Sequence, residues 1–118
     1  MIRWPSTILA ATTPVDLRLS FDRLAGIVRE QLGADPRRDT LIVFHNRART
    51  HLKLLWHDGT GYCLFYKRLD RCTYRIPLAI PEGARHVTVS ARELAILLEG
   101  IDEAALRAAR RSIDDVAR

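Results

Sequence analysis

Basic side chains concentrate in the middle of this sequence. Residues 37–89 hold ten of the nineteen arginines and lysines but only four acids, whereas the segments before and after are nearly neutral. A concentrated basic segment is the electrostatic footprint expected of a nucleic-acid-binding protein. A solvated basic surface without a polyanionic partner is the alternative that charge leaves open. The side chains that could contact phosphates or bases are Arg47, Arg49, Lys53, Lys67, Arg68, Arg71, Arg75, Tyr66 and Tyr74.

These side chains suggest two kinds of contact. The planar guanidinium fork of arginine suits phosphate, and exposed rings on a β-surface can stack on bases. Tyr66 and Tyr74 are predicted to be the exposed rings, whereas Trp56 is predicted to pack in the core with Leu52 and Leu54. Most basic contacts are expected to go to phosphates, which position a protein without reading sequence. The residues expected to be exposed on one connected surface are Arg47, Arg49, Lys67, Arg68, Arg71 and Arg75.

Ion pairing is the competing account of the same arginines. Asp39, Asp70 and the acids of residues 90–118, where the last helices are predicted below, could neutralise some of the guanidinium groups. Surface pairs contribute only about 0–1 kcal/mol each, so they would weaken the basic surface without adding much stability.

Other chemistries find less support in the sequence. His51 and His57 would lie about 20 Å apart along one strand, and the histidines and cysteines lack zinc-site spacing. The motifs of serine hydrolases, P-loops and dinucleotide-binding folds do not occur. We therefore predict no catalytic residue, no metal and no cofactor. Cys63 and Cys72 indicate reduced thiols in a cytoplasmic protein. No apolar run approaches the ~18 residues of a membrane span.

Local signals place two helices in the 118-residue chain. Ser20 is an N-cap residue and Gly33 a C-terminal cap, which predicts a helix over 20–32. Ser90 and Glu93 have the spacing of a capping box, which predicts a second helix over 91–99.

Several apolar or alternating runs between and around these helices predict strands. Residues 41–44 are continuously apolar, and residues 51–57 alternate in polarity. The Asp58–Gly61 segment is a strong hairpin turn, so residues 62–66 should be the return strand. Weaker strand signals fall at residues 7–12, 74–76 and 87–89.

Together these elements predict an α+β fold. We expect an antiparallel β-meander of three to five strands, flanked by an N-terminal and a C-terminal helix that pack on one face. Residues 1–102 would form a single domain, and residues 103–118 a C-terminal helical extension that frays or packs on a partner.

An ordered set of motifs resembles a known family, the Orf2-type accessory proteins of the insertion-sequence sixty-six family of bacterial transposable elements. The resemblance covers residues 14–102. The segments that carry it are Asp16–Asp22, Val43–Arg49, Leu52–Leu55, Asp58-Gly59, Gly61–Leu69, Pro77 and Glu93–Asp102.

The resemblance implies a role in transposition beside a separate transposase, which would carry the catalytic acids. We therefore predict a non-catalytic accessory factor that contacts DNA or RNA through the basic sheet. The alternative is a protein–protein adaptor that binds the transposase and no nucleic acid. The oligomeric state stays open. The positions that depart from the family's usual pattern are Thr50, His51, His57, Cys72 and Ile76, and at Cys72 the family commonly has glycine.

Overall fold

Five strands form one mixed sheet in the order β4-β3-β2-β1-β5. The structure is a computed structural model, and it describes residues 5–101. The strands are β1 (Thr7–Ala11), β2 (Thr40–His45), β3 (His51–His57), β4 (Tyr62–Arg68) and β5 (His86–Val89). The helices are α1 (Phe21–Ile27), which continues as a π-helical stretch over Val28–Leu32, and α2 (Ala91–Glu99).

The first two strands run parallel, so the expectation of a purely antiparallel meander is wrong. Thr7 lies opposite Thr40 and Ala10 opposite Val43, whereas every other pair of neighbouring strands is antiparallel. The physical reason is that α1 lies between β1 and β2 in the chain. A helical crossover returns the chain to the start of the sheet, and the next strand then runs in the same direction. The meander consists of β2, β3 and β4 alone.

The two helices cover opposite faces of the sheet, which also corrects the expected arrangement on one face. β2 is apolar on both sides, and a strand of that kind must be covered twice. One core cluster joins α2 to one face through Leu41, Val43, Leu52, Leu54, Trp56 and Leu97. The other joins α1 to the opposite face through Leu24, Ala25, Val28, Ile42, Phe44 and Leu55. We call these the α2 face and the α1 face.

The helix boundaries confirm the predicted ones, and the predicted capping contacts are present at α2, whereas the Ser20 side chain makes no capping hydrogen bond at the start of α1. The Glu93 backbone N–H donates to Ser90 Oγ at 3.1 Å, and the Ser90 N–H donates to Glu93 Oε1 at 2.8 Å. Both bonds of the predicted capping box are therefore present at the start of α2. Gly33 ends the first helical segment in the left-handed conformation, with φ 66°.

The segment after β4 is a long loop on the α2 face rather than the strand predicted at residues 74–76. Its one described strand-like contact is an isolated bridge from Thr73 to Ile101. The loop is anchored by the Tyr74 N–H, which donates to the Arg49 carbonyl at 2.8 Å. The predicted extension over 103–118 lies outside the described residues. Within residues 5–101 no helix is long and apolar enough to cross a membrane.

Candidate nucleic-acid interface

Most of the predicted basic residues meet at one end of the sheet. The loop between β2 and β3 carries Arg47 and Arg49, and Arg68 ends β4 directly opposite His51. The contact from Tyr74 to the Arg49 carbonyl brings the loop after β4 to the same place. We call this region the basic end, and its residues are Arg47, Arg49, Arg68, Arg71 and Arg75.

The side chain of Asn46 organises the loop that carries the two central arginines. Its Oδ1 accepts the backbone N–H of Thr50 at 2.9 Å and that of His51 at 3.0 Å. Its Nδ2 lies 3.1 Å from Thr50 Oγ1, and its backbone carbonyl accepts the Arg49 N–H at 3.1 Å. Asparagine favours such turns because its short side chain reaches nearby backbone groups. These hydrogen bonds hold the loop backbone in one conformation, and they therefore fix the backbone positions from which the Arg47 and Arg49 side chains extend.

Arg47 and Arg49 line different clefts, although only one residue separates them. Arg49 has a left-handed backbone, with φ 58°. It lines a cleft of about 370 Å³ on the α2 face, whereas Arg47 lines one of about 550 Å³ on the α1 face. The loop therefore presents a guanidinium group to each side of the sheet end.

The cleft on the α2 face combines cationic groups with apolar walls. Arg49, Arg75 and His45 line it together with aliphatic side chains, and none of its described lining residues is acidic. Burial and the nearby charge of Arg49 lower the pKa of His45, so this histidine stays neutral near pH 7. The fixed positive charge of the cleft therefore comes from its arginines. The aliphatic lining residues include Leu52, Ile76, Leu78 and Ile80.

The cleft on the α1 face is electrostatically mixed. Asp16 and Arg18 form a two-point ion pair there, with Nε to Oδ1 at 3.0 Å and Nη2 to Oδ2 at 2.9 Å. The Arg18 side chain lowers the pKa of Asp16 by hydrogen bonding to its charged form. Arg47, His51 and the exposed Tyr66 ring complete this side. An anion would meet a carboxylate here, which makes this cleft the weaker of the two for phosphate.

Ion pairs with carboxylates engage few of the arginines of the basic end, so most of them are available to bind phosphate. Arg68 lies 3.9 Å from Asp70, and both side chains are largely exposed, so that pair holds the guanidinium only weakly. Within residues 5–101, Arg47, Arg49 and Arg71 are exposed and lie in no ion pair. The competing account thus applies to Arg68 alone among these four.

Three predicted site residues point their polar groups into the protein. The prediction that Tyr74 is an exposed ring is wrong, because its side chain is 2% exposed and lies in the α2-face core. Burial raises its pKa to about 12. Lys53 is 7% exposed, and its Nζ donates to the Leu19 carbonyl at 2.9 Å. Lys67 is half-buried, and its Nζ donates to the Leu98 carbonyl at 2.7 Å. These groups support the fold near the site.

Tyr66 is the predicted ring that does reach solvent. Its side chain is 55% exposed, and the Lys53 ammonium lies 4.9 Å from the ring centroid. The His51 ring lies 5.8 Å away at a tilt of 45°. One face of the ring is thus backed by cationic and polar groups, while the rest is open for stacking.

Sequence reasoning missed the residues that hold the arginines in place. Asn46, Thr50 and His45 were not among the predicted site residues. The available signal was an asparagine directly after a buried strand, in a five-residue connection that also carries two arginines. Within the described chain, no group of three histidine, cysteine or acidic residues is placed to hold a metal ion.

The comparisons with known proteins agree with the motifs. Residues 6–108 match the family model of IS66 Orf2-like proteins. The protein named "Uncharacterized protein y4hO" of Sinorhizobium fredii (strain NBRC 101917 / NGR234) is 44% identical over 92 residues, which cover 78% of this chain and 77% of that protein. "Uncharacterized protein y4jC" of the same strain is 33% identical over 95 residues, which cover 80% and 79%. No solved structure matches the chain. The chain therefore belongs to the family of IS66 Orf2-like proteins.

Proposed function

We propose that this protein is a non-catalytic accessory factor in the transposition of an IS66-type element, and that its basic end contacts nucleic acid. Family membership supports the transposition role. The main observation that supports nucleic-acid contact is that Arg47 and Arg49 are exposed on the loop built around Asn46. They lie in no ion pair with the described residues, and each lines one side of the sheet end.

The arrangement suits a phosphate backbone better than a base sequence. Guanidinium groups bind phosphate oxygens through parallel hydrogen bonds, and contacts of this kind fix position without reading sequence. Arg49 and Arg75 stand at a cleft whose walls are aliphatic. A nucleotide there would place its phosphate on the arginines and its base against Ile76 and Leu78. Tyr66 offers a stacking surface on the other side of the same loop.

The test is binding of a fluorescently labelled DNA duplex and a single strand, measured by anisotropy at 50 and 200 mM salt. Wild-type affinity should fall steeply with salt because bound phosphates release counterions. Arg47→Glu with Arg49→Glu should weaken binding to all sequences alike and reduce the salt slope by about two. The fold should survive, because exposed substitutions usually cost within about 0.5 kcal/mol.

A matched control is the double reversal Arg37→Glu with Arg38→Glu. These two arginines are exposed and precede β2, at the opposite end of that strand. The control changes the net charge by the same amount. It should bind much more tightly than the loop double variant. Equal loss in both variants would show that overall charge, and not the loop, determines binding. No wild-type affinity at 50 mM salt would refute nucleic-acid binding.

An adaptor that binds the element's transposase without nucleic acid is the second candidate. The observation in its favour is an apolar groove of about 270 Å³ on the α2 face, with a nearly unbroken hydrophobic lining. Pull-down with the transposase, with and without nuclease treatment, distinguishes the two. Capture that survives nuclease, together with absent DNA affinity, would favour the adaptor.

A further inference from the structure

β4 is an edge strand whose outer backbone groups are available for pairing. It is the first strand in the sheet order, and no described strand lies beyond it. The Asp58 N–H donates to the Gly61 carbonyl, and the Leu69 N–H donates to the Thr50 carbonyl. Hydrogen-bonded and open pairs alternate along an antiparallel ladder, so the odd-numbered residues of β4 bond to β3. The residues that direct their N–H and C=O groups outward are Tyr62, Leu64, Tyr66 and Arg68.

Within the described residues, this edge lacks most of the devices that usually protect an exposed strand, and its charged side chains, Lys67 and Arg68, lie at one end only. Its seven residues pair continuously with β3, and they contain no proline and no bulge. Long, exposed, hydrophobic edges are pairing sites. The opposite edge of the sheet, β5, has only four residues.

Hydrophobic side chains are exposed along the same edge. Phe65 is 44% exposed on the α2 face, and Tyr66 projects on the α1 face. Phe65 also forms one wall of the apolar groove, whose other walls include Trp56, Leu94 and Leu98. The groove therefore continues to the edge of the sheet.

We propose that two copies of the chain form a dimer by antiparallel pairing of β4 with the partner's β4, about a two-fold axis at Phe65. The outward-facing residues all have even numbers. A two-fold axis at Phe65 therefore places each of them opposite an outward-facing residue of the partner. Tyr62 then lies opposite the partner's Arg68, and Leu64 opposite the partner's Tyr66. This register pairs all seven residues and forms up to about eight backbone hydrogen bonds.

Charge favours a second copy in this orientation as the occupant of the edge. Lys67 and Arg68 stand at one end of β4, and Asp58 precedes the other end. Backbone and hydroxyl donors of Thr60 lower the pKa of Asp58 to about 2, so its carboxylate is charged at neutral pH. Antiparallel pairing brings Lys67 and Arg68 of each strand toward the turn that holds Asp58 in the other copy. Parallel pairing would set the cationic end of one β4 strand beside the cationic end of the other.

The side chains of the central residue pair should stabilise the dimer. Phe65 and the partner's Phe65 form an open pair, in which side chains approach most closely. Aromatic cross-strand pairs contribute about 0.2–1 kcal/mol beyond an alanine pair. The two apolar grooves also meet across this pair on one face of a ten-stranded sheet. The inference does not rest on the proposed function.

Sedimentation of the full-length protein from 1 to 500 μM tests the dimer. Wild type should shift from monomer to dimer, and Phe65→Glu should raise the dissociation constant at least tenfold, because two carboxylates would then face each other. The matched control is Ile96→Glu, since Ile96 is 41% exposed on α2. It should dimerise as wild type does. A monomeric wild type at every concentration, or equal loss in both variants, would overturn the proposal.

Disulfide trapping tests the register. In a Cys63→Ala, Cys72→Gly background, Phe65→Cys places two thiols in an open pair about 4.5 Å apart at Cα, within disulfide range. Tyr66→Cys would set its two copies about 9 Å apart, beyond that range. Oxidation should therefore crosslink the first variant and not the second. Crosslinking of the second alone, or of neither, would overturn the Phe65-centred pairing.

Discussion

Replacing Asn46 by alanine should destabilise the protein and disturb the arginine loop. The substitution removes the acceptor of two backbone N–H groups, those of Thr50 at 2.9 Å and His51 at 3.0 Å. Each such bond contributes a net ~0.5–1.5 kcal/mol, so the expected loss in unfolding free energy is about 1–3 kcal/mol. Both residues are half-buried, so water replaces the lost acceptor only in part. A domain of this size is stable by ~5–15 kcal/mol and should still fold.

Urea denaturation followed by circular dichroism at pH 7 measures this loss. With a slope of ~1–3 kcal/mol/M, the midpoint should fall by roughly 1 M. Asn46→Asp is the matched control, because it keeps an oxygen for both N–H groups and should cost less than the alanine variant. Asn46→Ala should also weaken DNA binding, since the loop no longer fixes Arg49. An unchanged midpoint for Asn46→Ala, or equal losses in the two variants, would refute the role assigned to this side chain.

Three further predictions concern single contacts and are tested by urea midpoints. Gly100→Ala should cost about 1–3 kcal/mol, because φ is 79° there and a Cβ would lie 2.7 Å from Leu69 Cδ1; an unchanged midpoint would contradict this. Lys53→Met should cost about 1–3 kcal/mol, because the Leu19 carbonyl loses its donor while the aliphatic stem stays; a neutral effect would be inconsistent with the buried contact. Asp58 has its pKa lowered from 3.8 to about 2, so its stabilising contribution is complete above pH 4 and disappears as the pH falls toward 2. Asp58→Asn should reduce the loss of stability between pH 5 and 2, and an identical loss would disprove this.

The parts of the fold that local patterns determine could be predicted from the sequence. Alternation over residues 51–57 correctly places Leu52, Leu54 and Trp56 together in the core. The capping box at Ser90 and the glycine cap at Gly33 correctly bound the helices. These signals work because each depends on residues only a few positions apart.

The parts that long-range packing determines could not be predicted in the same way. The parallel pairing of β1 with β2 depends on where α1 crosses the sheet. The continuous apolar run in β2 is typical of a strand covered on both faces, yet it does not say which helix covers which face. Lys53 alternates as a surface residue would. Its long stem is nevertheless buried, because the ammonium reaches the Leu19 carbonyl.

The difference between local patterns and long-range packing also explains which features of the candidate site could be predicted. Exposed arginines in a turn could be predicted from composition and from the turn itself. The burial of Tyr74 could not, because it depends on the loop after β4 folding back over the α2 face. That fold-back is anchored by the Arg49 carbonyl, which belongs to a loop 25 positions earlier in the sequence.

The departures from the family pattern do not remove the support of the arginine loop. Asn46 Oδ1 accepts backbone N–H groups at positions 50 and 51, and any residue other than proline supplies those donors. Thr50 and His51 add a side-chain contact of 2.7 Å to that network. Cys72 has φ 68°, a left-handed backbone that glycine adopts at no steric cost, which agrees with the glycine that the family resemblance leads us to expect at that position. The strain of a cysteine there falls on an exposed turn beside the basic end, while Arg47 and Arg49 depend on Asn46 for their placement.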